Sequence, residues 1–346
     1  MPRIRATQLP CCGVMHSRYQ MRFCWLRVGG SCEGSLATPS LLGKTGHPNR
    51  DRSIRDVAHN RHVPVAGNER FRYPGGMDTP FTVEIGGATI RGGLKGTGPS
   101  LLCLHAGVAD TRMWRAQMDG LADTFQVIAY DRRGFGVTVT SDAPFSHIAD
   151  LKAVIDHLGV REVSLVGASQ GGRVAVDFAL VFPERVRSLF LIGPALSGAP
   201  VPDTFPTVIR ERLDRLDAAE EADDIDAVND IEAILWLDGA EQAEGRVSGP
   251  LRDTFLAMNR VALEAPELTR EREPESAMER LGALAAPTCV IWGALDFPHI
   301  RERCRRLVDA LPNAWGREIP GAAHLPNYER PEVVNPLIRT HCGEAR

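Results

Sequence analysis

Apolar and polar positions from residue 77 onward follow two alternating rhythms. Residues 80–85 alternate as a half-buried strand does, Gly86-Gly87 marks a hairpin turn, and residues 88–94 read as the returning strand. Short continuous apolar runs then recur at 100–104, 127–130, 163–166, 188–192 and 289–292. Such runs suit strands of a parallel sheet, buried on both faces. Between them, Ile148, Leu151, Ile155 and Leu158 lie at helical spacing, and a second helix runs through Val174, Phe178 and Val181 and stops before Pro183. Strands alternating with helices predict an α/β fold with a doubly wound, mostly parallel sheet.

Residues 199–286 break the rhythm. They show no buried-strand signal but carry acidic helical stretches at 208–219, 224–237 and 251–263. An insert of this size predicts a helical cap, with residues 77–198 and 287–346 forming the α/β core. The cap is expected over the strand ends, where open α/β sheets bind ligands. Its Ile234, Leu235, Trp236, Phe255 and Met258 read first as packing residues.

Composition narrows the classes. The chain has 346 residues, 43% of them hydrophobic and 24% charged, which suits a globular α/β protein. No apolar run reaches the roughly 18 residues of a membrane span. A net charge of -4 gives no case for nucleic-acid binding. Cys103, Cys289, Cys304 and Cys342 show no CxxC spacing and read as free thiols of a cytoplasmic protein, some of them in the core.

The first 76 residues differ from the rest. They hold 11 Arg and one Lys against four acidic residues, whereas the remaining 270 hold 28 basic and 40 acidic residues. Gly, Pro and Arg interrupt them throughout, and the apolar stretch of a secretory signal is missing. Cys11, Cys12, Cys24, Cys32 and His16 fit no usual zinc-ligand spacing. The chain as a whole has 37 Arg and three Lys, a bias of GC-rich coding. Residues 1–76 are therefore expected to be an unstructured extension, with Met77 as the working start.

The chemistry concentrates at strand ends. Gly167-Ala168-Ser169-Gln170-Gly171 matches G-x-S-x-G between a buried strand and a helix, the setting of a nucleophile elbow. The turn would raise the Ser169 hydroxyl above the sheet at a helix N-terminus, where unpaired N–H groups favour a developing oxyanion. A serine nucleophile needs a base, and the base an orienting acid. His324, in the small-residue loop Gly321-Ala322-Ala323-His324-Leu325-Pro326, and Asp296, ending Trp292-Gly293-Ala294-Leu295-Asp296, supply them in the chain order of one triad lineage. Gln170 offers one oxyanion N–H, and Gly107 in His105-Ala106-Gly107-Val108 a second, with Val108 as the fallback. His105 is expected to shape that loop. Val108, Trp236 and Leu325 are the candidate pocket residues.

These motifs resemble the α/β-hydrolase superfamily from about residue 81 to 338. The resemblance rests on His105-Ala106-Gly107 with Trp114, on Asp131-Arg132-Arg133-Gly134-Phe135-Gly136, on Pro183-Glu184-Arg185-Val186, and on the elbow, acid and histidine segments. It implies an eight-stranded sheet with antiparallel first strands and a lid after the sixth strand. It also implies a hydrolase without cofactor or metal, similar to enol-lactone hydrolases, small esterases and cofactor-free haloperoxidases. The family often has glycine at the position of Ala106 and methionine at that of Gln170; backbone N–H groups survive both changes. Relatives that use a carboxylate nucleophile are excluded by Ser169.

The expected function is hydrolysis of a small ester or lactone through an acyl-enzyme. A carbon–carbon bond hydrolase of ring-cleavage products is the rival, for which Arg173 near the elbow could hold an acidic substrate. A slow-turnover or non-catalytic ligand receptor on the same fold is a third reading. A small molecule is the expected partner in each.

Overall fold

The computed structural model describes residues 77–200 and 202–344. The expected N-terminal extension, with its cysteines and His16, lies outside the described residues. The strands are β1 (Thr79–Ile85), β2 (Ala88–Lys95), β3 (Ser100–Leu104), β4 (Gln126–Tyr130), β5 (Val139–Thr140), β6 (Val163–Ala168), β7 (Val186–Ile192), β8 (Thr288–Gly293) and β9 (Ala314–Ile319). Eight of them form one sheet in the order β1-β2-β4-β3-β6-β7-β8-β9, and the two-residue β5 pairs with β2 off this path. Pairings β1–β2 and β2–β4 are antiparallel, and all those from β4 to β9 are parallel. The expected eight-stranded sheet with antiparallel first strands is present, with β5 as a short addition.

Burial explains the two kinds of strand. Every residue of β6 and β8 is buried, as central parallel strands require, while β1 exposes alternate positions at the sheet edge. Helices α1 (Arg115–Leu121) and α9 (Pro331–Glu344), the latter preceded by the short α8 (Pro326–Glu329), pack together, as do α2 (His147–His157) and α3 (Gln170–Val181). α3 lies on β3, β6 and β7, and α7 (Pro298–Ala310) on β8 and β9. Cys103, Cys289, Cys304 and Cys342 are all free and buried in this core.

Strand order sets the location of a site. After β3 the chain moves outward to β4 and then returns to β6 on the other side of β3. The loops leaving β3 and β6 therefore diverge, opening a crevice at the carboxyl ends of the strands.

Three helices fill the segment between β7 and β8: α4 (Thr207–Glu221), α5 (Ile225–Ala233) and α6 (Pro250–Glu264). The predicted helix over 224–237 is present, and its hydrogen-bond pattern changes along its length. α5 gives way at Ile234 to a π-helical turn, Ile234–Gly239. α6 reaches the core loops: Arg112 donates to the Ala257 carbonyl at 3.0 Å, and the Tyr328 hydroxyl to that of Leu251 at 2.8 Å. Ile234, Leu235, Trp236, Phe255 and Met258 are all buried. Among the described residues, no helix is long and apolar enough to cross a membrane.

One buried ion pair fastens the antiparallel end of the sheet. Arg133 donates to both oxygens of Asp150 on α2, at 2.7 and 2.9 Å, and to the carbonyls of Ile85 and Gly86 at 2.8 and 2.9 Å. Both side chains are almost fully buried. Removing only the acid would leave the guanidinium without its counter-ion in a dry site. We expect Asp150→Ala to lose about 3–5 kcal/mol in urea unfolding. An Arg133→Met, Asp150→Leu double variant should recover part of that loss, because it buries no orphan charge.

Candidate active site

Ser169 sits between β6 and α3 at φ 51°, ψ −115°, a left-handed backbone that a side chain other than glycine rarely adopts. Three backbone hydrogen bonds hold it there. Its N–H donates to Ile192 at 2.8 Å, and its carbonyl accepts from Arg173 at 3.1 Å and Ala195 at 3.0 Å. Although Ser169 occupies the N-cap of α3, its hydroxyl makes no capping bond to that helix. The turn is tight enough to require glycine around it. A methyl group on Gly167 would lie 2.5 Å from the Gly171 carbonyl oxygen, and one on Gly171 would overlap the Leu104 carbonyl at the end of β3. α3 therefore starts directly over the end of β3.

That contact brings together the two expected oxyanion donors. Gln170 is the first residue of α3, so its N–H belongs to the turn that has no intrahelical acceptor. The space at Gly107 faces the Gln170 side chain, whose Cδ would lie 2.7 Å from a methyl there. A buried network fixes the Gly107 loop. His105 Nδ1 pairs with the Ala106 carbonyl at 2.8 Å, and its Nε2 accepts the Arg132 backbone N–H at 3.0 Å, so the proton is on Nδ1. The Arg132 guanidinium donates to the carbonyls of His105 and Ala106 at 3.1 and 3.4 Å and to Gln170 Oε1 at 3.4 Å. Because a trans peptide directs C=O and N–H oppositely, pinning the Ala106 carbonyl also sets the direction of the Gly107 N–H. Burial, with Arg132 beside it, holds His105 well below the usual histidine range, so it stays neutral. It shapes the loop as the sequence suggested.

Asp296, after β8, and His324, after β9, meet. Both are buried, and His324 Nδ1 lies 2.8 Å from Asp296 Oδ2. The other carboxylate oxygen accepts the Phe297 N–H at 2.8 Å. With Nδ1 turned to the carboxylate, His324 presents Nε2, which is buried and has no hydrogen-bond partner among the described residues. Gly193, at the end of β7, links this pair to the elbow. A methyl group on it would stand 3.2 Å from His324 Nδ1 and Cε1 and 3.3 Å from Asp296 Oδ2. Its neighbours are the residues that bond Ser169: Ile192 before it, and Ala195 two positions after. Ser169 and the His324–Asp296 pair thus flank the same short stretch of chain.

Gly193 was not among the residues singled out from the sequence. Its signal was a glycine ending a buried strand, which by itself does not identify what approaches it. Trp236 was singled out, and its ring lies 4.7 Å from the His324 ring and 4.8 Å from Phe297. Val108 and Leu325 are buried in the apolar core. Arg173 faces the segment that returns from the cap, donating to Glu271 at 2.9 Å and Glu273 at 3.2 Å. Among the described residues no group of three or more His, Cys, Asp or Glu side chains could hold a metal ion.

Known proteins agree with this architecture. A family model described as alpha/beta hydrolase fold matches residues 99–331. A 2-hydroxy-6-oxononadienedioate/2-hydroxy-6-oxononatrienedioate hydrolase from Paraburkholderia phymatum is 27% identical over 75% of this chain and 93% of its own. A 2-hydroxy-6-oxo-6-phenylhexa-2,4-dienoate hydrolase from Burkholderia cepacia is 27% identical over 70% of this chain and 87% of its own. Among solved structures, a thermophilic esterase from Thermogutta terrifontis matches with a TM-score of 0.62 and 25% identity, over 77% of this chain and 99% of that one. With the family model spanning the elbow, the acid strand and the histidine loop, this chain belongs to the alpha/beta hydrolase fold family.

Proposed function

We propose that this protein is a serine hydrolase that cleaves a small carboxylic ester or lactone through an acyl-enzyme. The observation that carries the reading is the strained Ser169 turn bonded to Ile192 and Ala195, on either side of Gly193, with a buried His324–Asp296 pair close against that glycine and Nε2 unengaged. In this reading Ser169 Oγ attacks the acyl carbon while His324 Nε2 takes its proton. Asp296 holds the Nδ1–H tautomer and stabilises the imidazolium. The N–H groups of Gly107 and Gln170 bind the oxyanion. His324 then protonates the departing oxygen, and water, activated by the same imidazole, releases the acid. Residues 199–286 act as the cap that walls the site, with Val108, Trp236 and Leu325 as its apolar lining.

A second reading, hydrolysis of a carbon–carbon bond in a 2-hydroxy-6-oxo-dienoate, is favoured by the names of the relatives that match by sequence. Such substrates are anions and call for a cation in the pocket. Arg173, the cation that reading called on, pairs with Glu271 and Glu273, and buried Arg132 is held by main-chain carbonyls and Gln170. That engagement supports the neutral acyl substrate over the anionic one.

The test compares the full chain with Ser169→Ala on p-nitrophenyl esters of graded acyl length, simple lactones and a 2-hydroxy-6-oxo-dienoate. We expect turnover of short esters or lactones, lost by roughly a thousandfold or more in the variant. Turnover of the dienoate alone would replace the first reading with the second. Undiminished ester hydrolysis by Ser169→Ala would overturn both.

Gly193→Ala provides a second test. The methyl group would press on the imidazole, and φ +48° at this position strains any side chain. We expect kcat to fall by about 10- to 100-fold, the scale of a small misplacement of a catalytic group, with KM nearly unchanged. Wild-type kcat in a folded variant would show that Gly193 does not set the imidazole position.

A further inference from the structure

One turn and one arginine of the cap touch the histidine loop beside the imidazole. The π-helical turn Ile234–Gly239 stands directly against that loop. The Trp236 carbonyl accepts the His324 backbone N–H at 3.2 Å, and the Trp236 ring packs on the imidazole with centroids 4.7 Å apart. Gly239, at φ +106°, lies close against the carbonyl of Leu295, the residue before Asp296. A helical turn ends in carbonyls that lack intrahelical donors. Here those of Leu237 and Asp238 accept from Arg246, at 2.7 and 2.5 Å.

Arg246 is also bonded to the core. The same guanidinium donates to the Gly321 carbonyl at 3.2 Å and meets Glu329 Oε2 at 2.5 Å. Glu329 is nearly fully buried, and its other oxygen accepts the Ala323 N–H at 2.7 Å, one residue before His324. The cap loop carrying Arg246 is itself fixed, because buried Asp238 accepts the N–H groups of Gly245 and Val247 at 2.7 and 2.9 Å and pairs with Arg252 at 2.8 Å. One side chain therefore joins the end of the π turn to both flanks of the His324 loop, Gly321 on one side and Glu329 on the other.

We infer that Arg246 is a positioning residue: by clasping the π turn to Gly321 and Glu329, it seats Trp236 on the His324 imidazole and sets the ring's placement toward Ser169. The inference rests on the serine-hydrolase reading for its kinetic consequence, but not for its structural one. The cap is then a fixed wall at this edge of the site, part of the support for the base. Substrates enter without this turn lifting away, because opening it would pull on the base.

The experiment uses the full chain as wild type, Arg246→Lys, Arg246→Met and Glu329→Gln. The first readout is the quenching of Trp236 emission as His324 is protonated, taken as the difference between each protein and the same protein carrying Trp236→Phe. We expect Arg246→Met to lose most of this pH-dependent quenching, while Arg246→Lys, which keeps the charge and some donors, retains part of it. The second readout is steady-state kinetics on the best ester or lactone. We expect kcat to fall by about tenfold or more in Arg246→Met, with KM changed less than about threefold, and to be partly restored in Arg246→Lys. Glu329→Gln should fall between the two. Wild-type quenching and kcat in Arg246→Met would overturn the inference. A lower melting temperature with unchanged quenching and unchanged kcat per active site would also overturn it, by showing a structural role only. Failure of the hydrolase reading is seen separately, as an inactive wild type whose quenching still depends on Arg246.

Discussion

The site depends on a backbone conformation that the chain would not adopt in isolation. Ser169 at φ 51° and ψ −115° carries strain of order 1–3 kcal/mol. The sheet over-determines it. Ile192 accepts its N–H, and Arg173 and Ala195 donate to its carbonyl, so relaxation to an ordinary strand or helix geometry would break bonds on both sides. Close packing of Gly171 on Leu104 leaves no room for the turn to move. The consequence is a serine whose hydroxyl is left out of the capping of its own helix.

Around that turn, buried charge does positioning. Arg132 donates to main-chain carbonyls and to the Gln170 side chain, and burial pulls its pKa down to about 10, so it is still charged at neutral pH. Its donors hold two carbonyls of the loop after β3 and the amide of Gln170, so two segments distant in sequence are registered against each other. Arg133, its neighbour, turns the other way to Asp150 and the first hairpin. Adjacent arginines at one strand end thus serve the crevice and the sheet edge separately. Burying polar groups in this way is costly unless they find acceptors; carbonyls of the loop after β3 serve the terminal nitrogens of Arg132, and Asp150 with the first hairpin serves Arg133.

The relation between cap and core follows from the same economy of backbone groups. A π turn ends with acceptors facing outward, and the histidine loop offers an N–H at His324 and a carbonyl at Gly321. Direct bonding, with Arg246 as the intermediary where geometry leaves a gap, satisfies both. Trp236 lies on the imidazole for that reason and not through apolar packing alone.

Much of this was legible in the sequence. Continuous apolar runs identified β3, β4, β6, β7 and β8 to within one or two residues, because burial on both faces leaves few polar positions, whereas the largely exposed β9 has no such run. Ser169, Asp296 and His324 stood out as candidates because Ser169 and Asp296 follow such runs and His324 lies in a loop of small residues. What could not be read was set by contacts between segments far apart in the chain. The passage of α5 into a π turn at Ile234, the approach of Gly193 to the imidazole, the pairing of Arg173 with Glu271 and Glu273, and the reach of Arg246 to Glu329 have no local pattern. Periodicity reports which face of an element is buried and thus fixes its type, but the partner on that face is chosen by the packing of the whole chain. The sequence alone therefore determined the fold and nominated the residues proposed for the chemistry. The tertiary structure decided how they are held, because hydrogen bonds and close contacts depend on distance in space, which the order of residues does not contain.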